Sequence, residues 1–165
     1  MDRIDLVDRM ILMELQKNSN QPLDQIAEAV GKSKTPVWLR MKRLAEKGII
    51  KKFTVDVDFE KIGFEACFFV FIKTSEHEAG WQKQFLKAIR GRPEVLEAHR
   101  LAGDIDYILK VRVENAKAYD KFYQELIRQV KIYNVTALIS MEEIKSTNEL
   151  NLTSVADLEK SQEDE

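Results

Sequence analysis

Two stretches of the sequence carry side chains whose types and spacing can do chemistry. Between Lys32 and Lys52, eight cations (Lys32, Lys34, Arg40, Lys42, Arg43, Lys47, Lys51, Lys52) stand against one acid, Glu46, although the 165-residue chain has a formal net charge of -2. Such segregation on a mildly acidic chain marks a defined anion-binding face. In isolation a Lys/Arg-rich run is a solvated surface by default, so its meaning depends on the element that carries it. The second stretch is Gly103-Asp104-Ile105-Asp106-Tyr107, a flexible turn with two carboxylates and a phenol. Backbone N–H groups in such a loop can hold a small carboxylate while an aspartate meets an ammonium, which is the polarity of an amino acid. The same residues also make an ordinary hairpin turn.

Catalysis finds little support elsewhere. The two histidines, His77 and His99, are distant in sequence and form no metal-ligand spacing with the single cysteine, Cys67. Both read as structural or surface residues. Cys67 lies in the apolar run Ala66–Val70 and reads as a small core residue. No glycine-rich phosphate loop or nucleophile elbow appears, so no cofactor, metal or catalytic residue is expected. An enzyme using Asp104 and Asp106 would lack a partner base. A composition of 44% hydrophobic and 33% charged residues is that of a folded globular protein. No run approaches the roughly 18 apolar residues of a membrane span, and Met1-Asp2-Arg3 leads into no signal-peptide core, so a cytoplasmic protein is expected.

The elements that position the basic run are legible. Asp5 can cap a helix with Met10, Ile11 and Leu15 on one face, and Leu23, Ile26, Ala27 and Val30 follow at helical spacing before Gly31. Thr35-Pro36 reads as the N-cap and first residue of a third helix running to Lys47, with Val37, Met41 and Leu44 inward and Gly48 as its stop. Short helices joined by a Gly-containing turn form a helix-turn-helix, and a strand over Ile49–Val57 would supply its wing or the exit from it. The outward face of helix three then presents Thr35, Leu39, Lys42, Arg43 and Glu46, with Trp38 on one flank and Arg40 on the other. On this reading Lys32, Lys34 and Lys42 neutralise phosphates, and Thr35, Trp38 and Arg43 reach base edges. Arg40 could touch DNA or brace helix two through an acid such as Glu28.

After a linker over residues 56–64, strand-like and helical patterns alternate: Glu65–Thr74, Glu78–Arg90, Val95–Leu101, Tyr107–Val113, Tyr119–Val130 and Val135–Glu142. Strand, helix, strand, strand, helix, strand is the ferredoxin-like split βαβ arrangement, whose sheet leaves one face open. With Phe68, Phe69 and Phe71 in its first strand, the sheet should pack a core and a second copy of the chain.

The layout resembles the Lrp/AsnC regulators up to about Leu152. The residues that carry the likeness are Asp5, Asp8 and Ile11-Leu12, then Gly31-x-Ser33, Val37-x-x-Arg40-x-x-x-Leu44 and Gly48-Ile49-Ile50, and finally Gly103-Asp104-x-Asp106-Tyr107 with Leu109-Lys110-Val111. The resemblance implies an α+β chain: a winged helix-turn-helix over residues 1–55, and a ferredoxin-like effector and oligomerisation domain over 65–152. A polar tail, 153–165, lies outside the family pattern. It further implies a sequence-specific transcriptional regulator that binds double-stranded DNA through Lys32, Ser33, Lys34, Thr35, Trp38, Arg40, Lys42 and Arg43. A small amino-acid effector would meet Leu101, Gly103, Asp104, Asp106 and Tyr107, with Thr136 and Ser140 from the last strand, between subunits of a dimer or octamer. Thr35-Pro36-Val37-Trp38, Ile72-Lys73-Thr74 and Met141-Glu142-x-Ile144-Lys145 look closer to a branch that regulates cysteine catabolism, which points to a sulfur amino acid. An amino-acid sensor acting through protein contact is the alternative from another class.

Overall fold

A computed structural model describes residues 4–74 and 79–153. The chain divides into two compact units, the first formed by Met1–Asp56 with Lys145–Glu165 and the second by Val57–Ile144.

In the first unit, α1 (Leu6–Lys17) starts at Asp5, whose carboxylate accepts the Asp8 amide at 2.8 Å while Asp8 accepts the Asp5 amide at 3.1 Å. This reciprocal cap satisfies two amide donors that the first helical turn leaves unpaired. α2 (Leu23–Ala29) follows, and Gly31 turns the chain at φ +63°, which side chains with a Cβ resist. α3 spans Lys34–Glu46 and its N-cap is Ser33, not Thr35. Pro36 then falls in the first turn, where its missing N–H would have had no helical partner. Ile11, Leu15, Ile26, Ala27, Val30 and Val37 form one buried cluster among the three helices. Each large aliphatic chain buried there contributes about 1.5–3 kcal/mol.

The expected wing strand does not form. Residues 49–58 include no strand, and Phe53 and Val55 are exposed. A strand is defined by its ladder, and no neighbouring strand pairs with this segment among the described residues. Within the linker, a 3-10 turn over Glu60–Ile62 ends at Gly63.

The second unit contains β1 (Ala66–Lys73), α4 (Ala79–Arg90), β2 (Val95–Arg100), β3 (Tyr107–Val113), α5 (Ala116–Gln129) and β4 (Asn134–Ile139). The sheet order is β2-β3-β1-β4 with every neighbouring pair antiparallel, which is the ferredoxin-like topology. Because side chains alternate across a strand, Phe68, Val70, Ile72, Leu109, Val111 and Val113 share one face and pack against Trp81 and Phe85 of α4 and Phe122 and Leu126 of α5. Phe69, Phe71, Ile108 and Leu138 fall on the other face. Cys67 is buried, and desolvation pushes its thiol up from the ordinary value, which suppresses thiolate chemistry.

After Ile144 the chain packs with the first unit, although the sequence pattern assigned residues 65–152 to the second domain. The Gln16 amide donates to the Leu150 carbonyl at 3.3 Å and its oxygen accepts the Leu150 amide at 3.0 Å, while Arg9 donates to the Leu152 carbonyl at 3.0 Å. His77 and the tail beyond Thr153 lie outside the described residues, as does the expected start of α4 at Glu78. No helix of the described residues is long and apolar enough to cross a membrane.

Candidate nucleic-acid interface and effector loop

The outer face of α3 differs from a uniform basic stripe. Val37 and Leu44 are fully buried, which turns Thr35, Trp38, Leu39 and Lys42 outward, and Trp38 and Leu39 are half exposed. The Lys42 ammonium sits 5.6 Å from the Trp38 ring centroid and 3.8 Å from Glu46. Lys32, Ser33 and Lys34 are exposed at the entry to the helix, with Lys34 3.1 Å from Asp24. Hydrogen bonding from Lys34 holds the Asp24 carboxyl below its ordinary range. Exposed pairs of this kind are weak and readily exchange for a phosphate.

Arg40 and Arg43 point elsewhere. Arg40 donates to Asp5 at 2.6 Å and to Asp8 at 2.8 Å, and Arg43 donates to Asp8 at 2.5 Å. Asp8 is 0% exposed, so its charge is held by two guanidiniums rather than by water. Burial acts to raise the Asp5 carboxyl, but the Asp8 amide and Arg40 outweigh it and hold the group below its ordinary value. The two arginines therefore clamp α3 to α1. Arg43, expected to reach bases, is engaged in this clamp, and Arg40 braces helix one through Asp5 and Asp8, not helix two through Glu28.

The loop between β2 and β3 is held by its own groups. The Leu101 amide donates to the Asp106 carbonyl at 2.8 Å, and the Asp106 amide to the Ile72 carbonyl at 3.0 Å. The Asp106 carboxylate accepts the Thr74 amide at 2.7 Å. Tyr107, 5% exposed, lies under the sheet with Trp81 and Phe85, its hydroxyl accepting from Gln82 at 3.3 Å. What faces solvent is Gly103, at φ +149°, and Asp104, whose side chain is 98% exposed and 3.4 Å from the Lys73 ammonium. Lys73 pairs with Asn134 across the β1/β4 ladder, and Thr136 stands opposite Phe71 on the same open face. Ser140, by contrast, donates its amide to the Cys67 carbonyl at 2.8 Å and its hydroxyl to the Glu142 carbonyl at 3.3 Å. Cys67 and Lys73 are six residues apart along β1, about 20 Å at strand rise, so one chain does not bring Ser140 to the Gly103 loop.

Two family models match this chain. One, described as a winged helix-turn-helix DNA-binding domain, covers residues 4–51, and the other, the Lrp/AsnC ligand binding domain, covers residues 67–150. The chain belongs to the Lrp/AsnC family. It is 40% identical over 148 residues to the DNA-binding transcriptional activator DecR of Escherichia coli (strain K12), covering 89% of this chain and 97% of that one. It is 37% identical over 155 residues to a glutamate uptake regulatory protein of Zymomonas mobilis, covering 94% of each. An AsnC family transcriptional regulator from Agrobacterium tumefaciens superposes with a TM-score of 0.86 at 38% identity, covering 92% of this chain and 99% of that one. A transcriptional regulator from Neisseria meningitidis, solved as an L-Met complex, gives 0.86 at 25% identity, covering 93% and 99%.

This Lrp/AsnC chain is thus a DNA-binding transcriptional regulator with a separate ligand-binding domain. Sequence reasoning quoted Asp5 and Asp8 as family markers and did not see them as partners of Arg40 and Arg43. Periodicity placed Tyr107 with Leu109 and Val111 on the buried face, and that signal outweighs the polarity of its hydroxyl. Lys73, absent from the expected sites, is the addition, beside Asp104, and Leu39, read as outward on helix three, is half-exposed next to Trp38.

Proposed function

We propose that α3 reads the major groove with Thr35, Trp38, Leu39 and Lys42, while Lys32, Ser33 and Lys34 hold phosphates at the helix entry and Arg40 and Arg43 position the helix. The observation that carries this reading is the division of labour on α3: its two arginines are engaged inward by Asp5 and Asp8, leaving a face of one threonine, one indole and flanking lysines. Lysines supply sequence-independent affinity, and the threonine and indole supply apolar contacts to base edges such as the thymine methyl. A gel shift or footprint on the upstream region of the protein's own gene tests it. Lys42→Ala should weaken binding to all duplexes alike and lower the salt slope by about one. Trp38→Ala should narrow the gap between specific and random duplex by about 1–3 kcal/mol. Retained specificity in Trp38→Ala would remove the indole from the readout.

We further propose that a small α-amino acid binds at the solvent-facing side of the β2/β3 loop, in an assembly of at least two copies joined through the open sheet face. Gly103 and its neighbouring amides would receive the carboxylate, and Asp104 the ammonium after release from Lys73. Asp106 and Tyr107 support the loop, and Leu101, Asn134 and Thr136 border it. Ser140 would join the site only from a second copy, because it lies at the far end of β1 in its own. The L-Met complex of the Neisseria regulator favours a sulfur-containing or aliphatic amino acid. The effector would act by binding one arrangement of the assembly better than another, without turnover, in the compartment that holds the DNA. A thermal-shift panel of amino acids tests the reading, since a ligand of the native state raises its stability. Asp104→Ala should abolish the shift given by the responding amino acid and leave DNA binding intact. An unchanged shift would remove Asp104 from the site.

A further inference from the structure

We propose that Lys73 holds the carboxylate of the effector, so that the site at the β2/β3 loop selects a zwitterion. The ligand enters between Lys73 and Asp104 and leaves both charges paired. This rests on the reading of that loop as the effector site, and it gives Lys73 a role once Asp104 has turned to the ligand.

The geometry begins in the backbone. Lys73 closes β1, and the residues on either side of it are tied to the loop: the Asp106 amide donates to the Ile72 carbonyl at 3.0 Å, and the Asp106 carboxylate accepts the Thr74 amide at 2.7 Å. These bonds hold the main chains that carry Lys73 and Asp104 side by side. The side chains themselves can part, because the ammonium and carboxylate meet at 3.4 Å with 43% and 98% of their side chains exposed. An exposed pair of this kind contributes little, so opening it costs little. Among the described residues, Asp104 is the only acid within ion-pair distance of Lys73, and Lys73 is the only cation within that distance of Asp104. Across the β1/β4 ladder Lys73 meets Asn134, a neutral amide. No second carboxylate is at hand to take the lysine when Asp104 leaves it.

Charge then decides the ligand. An amine without a carboxylate, drawn to Asp104, would leave Lys73 beside a second cation. A carboxylate without an amine, drawn to Lys73, would leave Asp104 beside a second anion. Like charges so close repel, and more strongly where water is partly excluded. An α-amino acid carries both signs on the same carbon and meets both side chains at once, with the net charge of the site unchanged. One carboxylate oxygen faces Lys73 and the other the loop amides at Gly103, a charge-assisted contact stronger than amides alone supply. Selection comes from the repulsion of the wrong ligand as well as the attraction of the right one.

Thermal shift with each standard L-amino acid, on the full-length native chain, identifies the responder. Calorimetric titration then compares that amino acid, its amino alcohol and its 2-hydroxy acid on the native chain, Lys73→Met and Lys73→Arg. The amino acid should bind Lys73→Met about tenfold more weakly than the native chain, and Lys73→Arg should recover most of the loss. The amino alcohol should bind the native chain weakly and Lys73→Met more tightly, because the repelling ammonium is gone. That inversion separates a carboxylate-holding lysine from one that merely supports the loop. If Lys73→Met binds the amino acid as tightly as the native chain or more so, Lys73 only competes for Asp104 and the proposal is overturned while the site stands. Should Lys73→Met fail to fold, the native chain decides, since equal affinity for the amino acid and its amino alcohol overturns the proposal. A native chain that responds to no amino acid removes the loop as the effector site, and the role of Lys73 with it.

Discussion

Replacing Arg40 and Arg43 together with alanine will destabilise the first unit by about 3 kcal/mol. Asp8 is fully buried and its carboxylate is neutralised by these two guanidiniums, at 2.8 and 2.5 Å. Removing both leaves a buried charge without a counter-ion and with only the Asp5 amide as partner, close to the situation in which a broken ion pair costs the most. The lower end of that range applies because Arg40 and Arg43 keep 29% and 46% of their side chains exposed, so solvent already screens part of the attraction. Either single variant leaves Asp8 one arginine and should cost about a third as much. Urea unfolding followed by circular dichroism reads the shift, and hydrogen exchange in α1 and α3 locates it. An unchanged midpoint would mean that water enters and solvates Asp8. The same clamp has a pH signature. The Asp5 carboxyl is held below its ordinary value by the Asp8 amide and Arg40, so it binds a proton less readily folded than unfolded. Its contribution is complete above that value and is lost as pH falls through the lower, folded one. In the double variant this acid sensitivity should shrink, because Arg40 is one of its causes. A DNA-binding defect in Arg43→Ala therefore has to be read beside its stability, whereas Lys42→Ala is free of that complication.

Leu138→Glu will convert the assembly proposed above to monomers. Leu138 is 55% exposed on the face of the sheet that carries no helix, beside Phe69 across the ladder. The monomer spends little of its own stability on this side chain, so a charge there is tolerated while the chain is alone. In a two-fold dimer formed through this face the substitution enters twice, and each carboxylate loses water without gaining a partner. A penalty of about 1–3 kcal/mol per copy, entered twice, weakens dimerisation by roughly 30-fold to 10⁴-fold. Sedimentation velocity should show the loss of the larger species with an unchanged circular dichroism spectrum. DNA affinity for a palindromic site should fall with it, because two half-sites no longer share one binder. Persistence of the dimer would place the interface away from this face.

The helices and the sheet were legible because their signals are local. Asp5 was read as a cap and is one, and β3 was read at Tyr107–Val113, its observed span. The wing was not legible in the same way: alternation over residues 49–57 states only that a strand would be amphipathic, and says nothing of a neighbour to pair with. α3 shows a different limit. Helical spacing gives the direction of a Cβ, but an arginine is long enough to turn back, and a buried acid on another helix redirects it by several kcal/mol of electrostatics. The effector loop mixes both cases. Gly103 and Asp104 are exposed as their types suggested, while Asp106 belongs to the scaffold, its carboxylate accepting the amide of Thr74. Ser140 lies at the opposite end of β1 from this loop in its own chain, and sequence spacing carries no information on the approach of a second copy.

The hydrogen bond from Arg9 to Leu152 spans 143 positions of the chain, and the one from Gln16 to Leu150 spans 134. During synthesis at about 5–20 residues per second, the N-terminal helices wait roughly 7–30 s for these partners. The whole of the second unit, which ends at Ile144, is made before they emerge. The DNA-binding unit is thus the first to begin and the last to close. A chain terminated between Ile144 and Leu150 would carry its whole sheet and still lack the last contacts on α1.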